Sequence, residues 1–119
     1  MEIPDLAELI WLFEDEPTRG HDDLDWPVGL HSFRLTRRST TVLFSLDPTA
    51  GDAYLSMYSG DEEIAYLGRL RRVDRLIVLR EPDREGLRLW FHGDTHEPLT
   101  LHTKPGIRLS WDVRPLGEW

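Results

Sequence analysis

"HSFRLTRRSTTVLFSLDPTAGDAYLSMYSG", residues 31–60, decides the fold. His31-Ser-Phe33-Arg-Leu35, Val42-Leu-Phe44-Ser-Leu46 and Ala53-Tyr-Leu55-Ser-Met57 alternate core-type and solvent-type side chains, the period of a strand with one buried face. Between them stand Arg38-Ser39 and Asp47-Pro48 to Gly51-Asp52, turn chemistry too short to hold a crossover helix. Neighbouring strands must then run antiparallel.

The same pattern continues through Ile64-Ala-Tyr66-Leu67, Leu87-Arg-Leu89-Trp-Phe91, Leu99-Thr-Leu101 and Ile107-Arg-Leu109-Ser-Trp111-Asp-Val113. Ser59-Gly60-Asp61, Pro82 to Gly86, Gly93-Asp94 and Pro105-Gly106 punctuate it. The unbroken run Leu76-Ile77-Val78-Leu79 predicts a strand covered on both faces. Gly68 to Arg75, "GRLRRVDR", fits a turn, an extended edge or a short helical piece equally well.

Upstream of this region the period is 3.6. Asp5-Leu-Ala-Glu8 has the form of a capping box, and Leu6, Leu9, Ile10 and Phe13 then recur on one helical face until Pro17 and Gly20. Trp11 lies well off that stripe, which places it under the following loop, against Trp26, or outward.

With 119 residues the chain has enough surface to bury for one core, not two. The expectation is a single α+β domain over 1–119. It comprises a helix within 1–16, an acidic loop over 17–29, an antiparallel sheet over 30–114 and a short tail over 115–119. A meander of seven to eight strands should curl into a roll or partly open barrel, with the helix plugging its concave face. Phe33, Leu35, Phe44, Leu55, Met57, Leu89, Phe91, Leu101, Leu109 and Trp111 form its expected inner face.

Cysteine is absent, which excludes disulfides, thiolate metal sites and cysteine nucleophiles. Leu9 to Phe13, the longest early apolar run, is too short for a membrane span and lacks the basic leader of a signal peptide. A cytoplasmic protein with no membrane contact is expected.

Charge is distributed unevenly. Residues 1–26 contain nine carboxylates against Arg19, a net of −8, while residues 27–119 balance. "FEDEPTRGHDDLDW", residues 13–26, concentrates six of those carboxylates. Glu14, Asp15 and Glu16 sit where the helix dipole is already negative, at a cost of a few tenths of a kcal/mol each. Two accounts offset that cost. Internally, Arg69, Arg71, Arg72 and Arg75 could pair with the acidic segment as surface ion pairs. Externally, a concentrated negative patch speeds and selects the approach of a basic protein. The second account gives a small interaction module of immunity or inhibitor type, neutralising a basic partner. Its contact residues would be Glu14, Asp15, Glu16, Asp22, Asp23 and Asp25, with Trp11 and Trp26 as aromatic anchors.

The alternative is a small-molecule or metal-binding β-roll. "HGDTHEPLTLH" carries His92, Asp94, His96 and His102, and strand alternation would set His92 and His102 on either side of Trp90. A metal site needs three or four such ligands held by outer-shell partners, so surface histidines beside a turn are the plainer reading. Arg34, Tyr54, Tyr58, Arg88, Trp90, Arg108 and Arg114 mix aromatics with arginine on the outward face. Such a face stacks bases or binds protein, but a net charge of −8 opposes polyanions, so no nucleic-acid partner is expected. Without a glycine-rich phosphate loop, a nucleophile elbow or a helical His-Glu pair, no enzyme and no cofactor are expected. An open edge strand leaves monomer and homodimer both available.

Overall fold

The computed structural model describes residues 1–19, 26–93 and 97–111. Among these residues one helix, α1 (Leu6–Phe13), precedes nine strands: β1 (Thr18–Arg19), β2 (His31–Arg37), β3 (Thr40–Asp47), β4 (Asp52–Ser59), β5 (Glu62–Leu70), β6 (Val73–Glu81), β7 (Arg84–Phe91), β8 (Leu99–Lys104) and β9 (Arg108–Ser110). Every strand pairs antiparallel with its neighbour in sequence, except across the β5–β6 junction.

That junction separates the strands into two sheets, β1 to β5 and β6 to β9. The α+β expectation holds, but the curled single sheet does not: the two sheets are not closed into a barrel. The cause lies in the ambiguous "GRLRRVDR" stretch. β5 runs on to Leu70, the chain turns through Arg71 and through Arg72 at φ 61°, and β6 starts at Val73. The Val73 amide donates to the Gly51 carbonyl at 3.0 Å and the His92 amide to the Arg72 carbonyl at 2.8 Å, which fixes the corner against both sheets.

One apolar cluster joins both sheets to the helix. Phe33, Phe44, Leu55, Leu87, Leu89, Leu99 and Leu101 are all at most 2% exposed. Of the ten expected inner-face residues eight are buried, while Leu109 and Trp111 pack against the cluster from its margin. Leu76 is buried in β6 but Ile77, Val78 and Leu79 are only partly covered, so that strand is less enclosed than its apolar run predicts.

Helix α1 packs between β2 and β6. Leu9, Leu12 and Phe13 are buried, with Leu6 and Ile10 half-covered, so the stripe is turned toward Leu12. Asp5 occupies the N-cap with extended backbone, but its carboxylate makes no capping hydrogen bond, contrary to the capping-box reading. The Asp5 backbone carbonyl instead accepts from the Glu8 amide at 3.0 Å. Upstream, Glu2 donates to the Asp74 carbonyl and accepts from the Leu76 amide, extending the second sheet by a short parallel bridge.

Gly86 sits where β7 and β8 leave no room for a side chain. A Cβ there would stand 2.5 Å from the Leu101 carbonyl oxygen, beside the register shift after Glu85. Gly86→Ala is expected to push β7 from β8 and to destabilise the protein by about 1–3 kcal/mol, the usual range for overpacking. Urea unfolding will check this, and an unchanged midpoint would contradict the β7–β8 register. No helix among the described residues is long and apolar enough to cross a membrane.

Candidate functional site

Helix α1 ends on Glu14, whose backbone is left-handed at φ 62°, ψ 21°. A non-glycine residue there carries a backbone cost, so its side chain should have a partner. That partner is Arg37 at the end of β2, which forms an ion pair with the Glu14 carboxylate. The Arg37 Nε also donates to the Thr103 carbonyl of β8 at 3.1 Å. One guanidinium thus ties the helix C-terminus, the first sheet and the second sheet together. The hydrogen bond from Arg37 holds the Glu14 carboxyl below its ordinary value, partly opposed by burial and aided by the charges of Arg37 and Lys104.

The internal account of the acidic segment therefore holds for one residue, with a different partner. Arg69 pairs instead with Asp52 of β4, Nε to Oδ2 at 2.7 Å. Arg75 lies over the Trp90 ring at 5.2 Å, and Arg71 and Arg72 are exposed at the inter-sheet corner. Among the described residues none of these four arginines pairs with Glu14, Asp15 or Glu16. The run is dense in sequence, but the β5–β6 corner splits it, with Arg69 on β5, Arg75 on β6, and Arg71 and Arg72 between the two strands.

Asp15 and Glu16 stay open. Asp15 Oδ1 accepts from the Glu16 amide at 2.8 Å, both residues are exposed, and neither has an ion-pair partner among the described residues. Asp22, Asp23 and Asp25 lie outside the described residues. Their segment is fixed at both flanks: Thr18 and Arg19 pair with Ser32 and His31, and Trp26 packs on His31 at 5.1 Å and Phe33 at 6.4 Å. His31 is 1% exposed and its Nε2 contacts the Val28 carbonyl at 2.8 Å. Because a carbonyl only accepts, that nitrogen carries the hydrogen.

The two tryptophans separate. Trp26 is half-buried against the core and serves first as packing. Trp11 remains 41% exposed, with the Arg80 guanidinium 4.1 Å from its ring centroid. It faces outward, against Arg80 of β6. It presents an aromatic ring and a cation side by side near the helix end.

The histidine face does not assemble as the alternation predicts. His102 pairs with Gly86 in the β7–β8 register, six residues along β7 from His92, a separation of roughly 20 Å at strand rise. His92 follows the end of β7 and faces Asp74, Nδ1 to Oδ1 at 3.7 Å. Asp94 and His96 lie outside the described residues, and no group of three potential metal ligands occurs among those described. His102 has other neighbours, which the sequence reading missed. The registers set Gly86 on one side of it and Arg108 of β9 on the other. Burial, then the charges of Arg108, Arg84 and Arg88, hold its pKa below the ordinary histidine value.

On the first sheet, edge strand β5 exposes Ile64 and Tyr66 but also begins with Glu62-Glu63 and carries two register shifts against β4, features that blunt an edge.

The fold has a solved counterpart. It is similar to a chain from "Contact-dependent growth inhibition toxin - immunity protein complex from Klebsiella pneumoniae 342", with a TM-score of 0.78 over 93% of this chain and 95% of that one. Sequence identity is 14%, so the likeness is one of fold. No protein-family model matches the chain, and a search of curated proteins returned no match.

The Arg37 linkage gives a measurable expectation. Arg37→Met keeps the aliphatic stem but removes the ion pair and the bond to Thr103, and should cost about 1–2 kcal/mol. Glu14→Gln should cost less than about 1 kcal/mol, since that carboxylate is half exposed to solvent. Because the folded-state Glu14 pKa is depressed, its contribution is full above the ordinary value of 4.5 and is lost as pH falls through the folded value. A double-mutant cycle by chemical denaturation at pH 7 and at pH 3 will test this, with coupling present at the first and diminished at the second.

Proposed function

We propose that this chain is a non-enzymatic binding protein of immunity type, which captures and neutralises a basic protein partner through the acidic end of α1 and the segment after it. The observation that carries the reading is the end-to-end fold likeness to a chain of a toxin–immunity protein complex. The charge distribution supports the inhibitor side of such a pair. The whole net charge of −8 resides in residues 1–26, and Asp15 and Glu16 are left open to solvent. A negative surface of that kind accelerates docking of a cationic partner and selects against anionic ones. Trp11, exposed beside the acidic segment, supplies the aromatic surface that retains a partner once docked.

The test has two stages. The chain is used as bait in native-host lysate at low and at high salt, and the retained protein is identified. That protein is then expressed in cells with and without this chain. Growth arrest by the partner alone, relieved by co-expression, is the expected result. A partner that is acidic, or whose toxicity is unaffected by co-expression, would refute the reading.

A further inference from the structure

The second sheet carries a feature of the opposite sign. At its β7–β9 end lies an open cavity of about 400 Å³, lined by Arg84 of β7, His102 and Lys104 of β8, Arg108 of β9, and Pro105 and Ile107 of the turn between the last two strands. Three permanent cations and an imidazole converge there in a chain whose net charge is −8. The convergence comes from register: Glu85 pairs with Lys104, Gly86 with His102, and His102 with Arg108. Gly86 contributes no side chain beside the imidazole.

Little of this charge is neutralised from within. Glu85 lies 3.6 Å from Lys104. Glu14 feels Lys104 but is bound to Arg37. Arg84 and Arg108 have no ion-pair partner among the described residues. Gathering like charges around a half-buried imidazole is unfavourable unless an anion occupies the space between them.

We propose that this cavity binds a small phosphate-bearing anion, held by the guanidinium groups of Arg84 and Arg108 with Lys104 and His102 beside it. Two arginines suit the recognition of tetrahedral oxyanions, because each guanidinium offers a planar fork of donors. The volume exceeds what one carboxylate needs and falls within the range of small-ligand sites. A bound anion offsets the field that disfavours protonation of His102, so the ring becomes an internal reporter of occupancy.

The experiment is calorimetric titration of the full chain with sodium pyrophosphate, against sodium chloride at matched ionic strength. Citrate and a short single-stranded oligonucleotide provide the comparison arms. Saturable one-to-one binding is expected, at least tenfold weaker in the Arg84→Gln/Arg108→Gln double variant and unchanged in Arg71→Gln at the distant corner. In the native chain, the His102 ring resonances should shift on adding pyrophosphate and its pKa should rise. Heat no greater than that of matched sodium chloride, equal weakening in Arg71→Gln, or an unmoved His102 ring would each overturn the proposal. So would citrate binding as tightly as pyrophosphate, which would indicate a general anion site, or oligonucleotide binding without pyrophosphate binding. Should the double variant fail to fold, the His102 titration of the native chain decides.

Discussion

Phe44→Ala is expected to lower stability by about 3–5 kcal/mol, a large share of the roughly 5–15 kcal/mol that holds a domain folded. Phe44 is 0% exposed on β3, flanked by Phe33 on one side and Leu55 on the other in the sheet register. Its ring stacks on Phe13 of α1, with centroids 5.9 Å apart and planes 5° from parallel, and Phe13 in turn stacks on Phe33 at 5.1 Å. The alanine would leave a void that rigid neighbours on two strands and a helix cannot close. It would also remove the aromatic contact that seats α1 on the first sheet. The consequence reaches the acidic segment, because Glu14 follows Phe13 directly and takes its position from that seat. Urea denaturation followed by tryptophan fluorescence measures the loss. A cost below about 1.5 kcal/mol would show that the helix does not rest on Phe44.

This dependence shows why the strands were legible before the site was. Alternation along residues 31–60 encodes both the pairing and the buried face, since a one-residue slip would expose Phe33, Phe44 and Leu55 together. The division into two sheets was not legible. It depends on two residues at the β5–β6 corner, Arg71 and Arg72, and no local signal distinguishes that corner from a continuing edge strand. β1 was missed for a related reason: two residues of pairing leave no period to detect.

Charge was legible in amount but not in partnership. The sequence displays Arg69, Arg71, Arg72 and Arg75 as the dense cationic run, yet the fold gives Arg69 to Asp52, sets Arg75 over Trp90, leaves Arg71 and Arg72 exposed at the corner, and brings Arg37 to Glu14 instead. Arg84, Lys104 and Arg108 are spread over 25 positions of sequence and become neighbours only through the β7–β8–β9 register. The histidines show the converse. His92 and His102 look adjacent on a hairpin drawn with a tight turn, but the actual pairing aligns His102 with Gly86. The histidine error is one of register, which hydrophobic alternation constrains only modulo two.

If the proposed capture of a basic protein holds, neutralising Asp15, Glu16, Asp22, Asp23 and Asp25 together, with Glu14 kept, is expected to reduce the association rate with that protein by roughly 10- to 100-fold at low salt. Glu14 is retained because it is bound to Arg37, so that Glu14→Gln alone should alter the rate less than twofold. Carboxylates of such a segment would act at a distance, through the field that the approaching partner meets, and salt screens that field over about 10 Å at 0.1 M. The variant's rate should therefore vary less steeply with ionic strength than that of the native chain, and the two should converge at high salt. Dissociation follows a different rule, because it depends on contacts already desolvated. Trp11→Ala should accordingly raise the dissociation rate and leave association nearly untouched. Stopped-flow or surface-plasmon measurements across a salt series separate the two effects. An association rate unchanged by the fivefold substitution would remove the acidic segment as the steering surface. A Trp11→Ala variant that slows association without changing dissociation would place Trp11 in the encounter rather than in the docked interface.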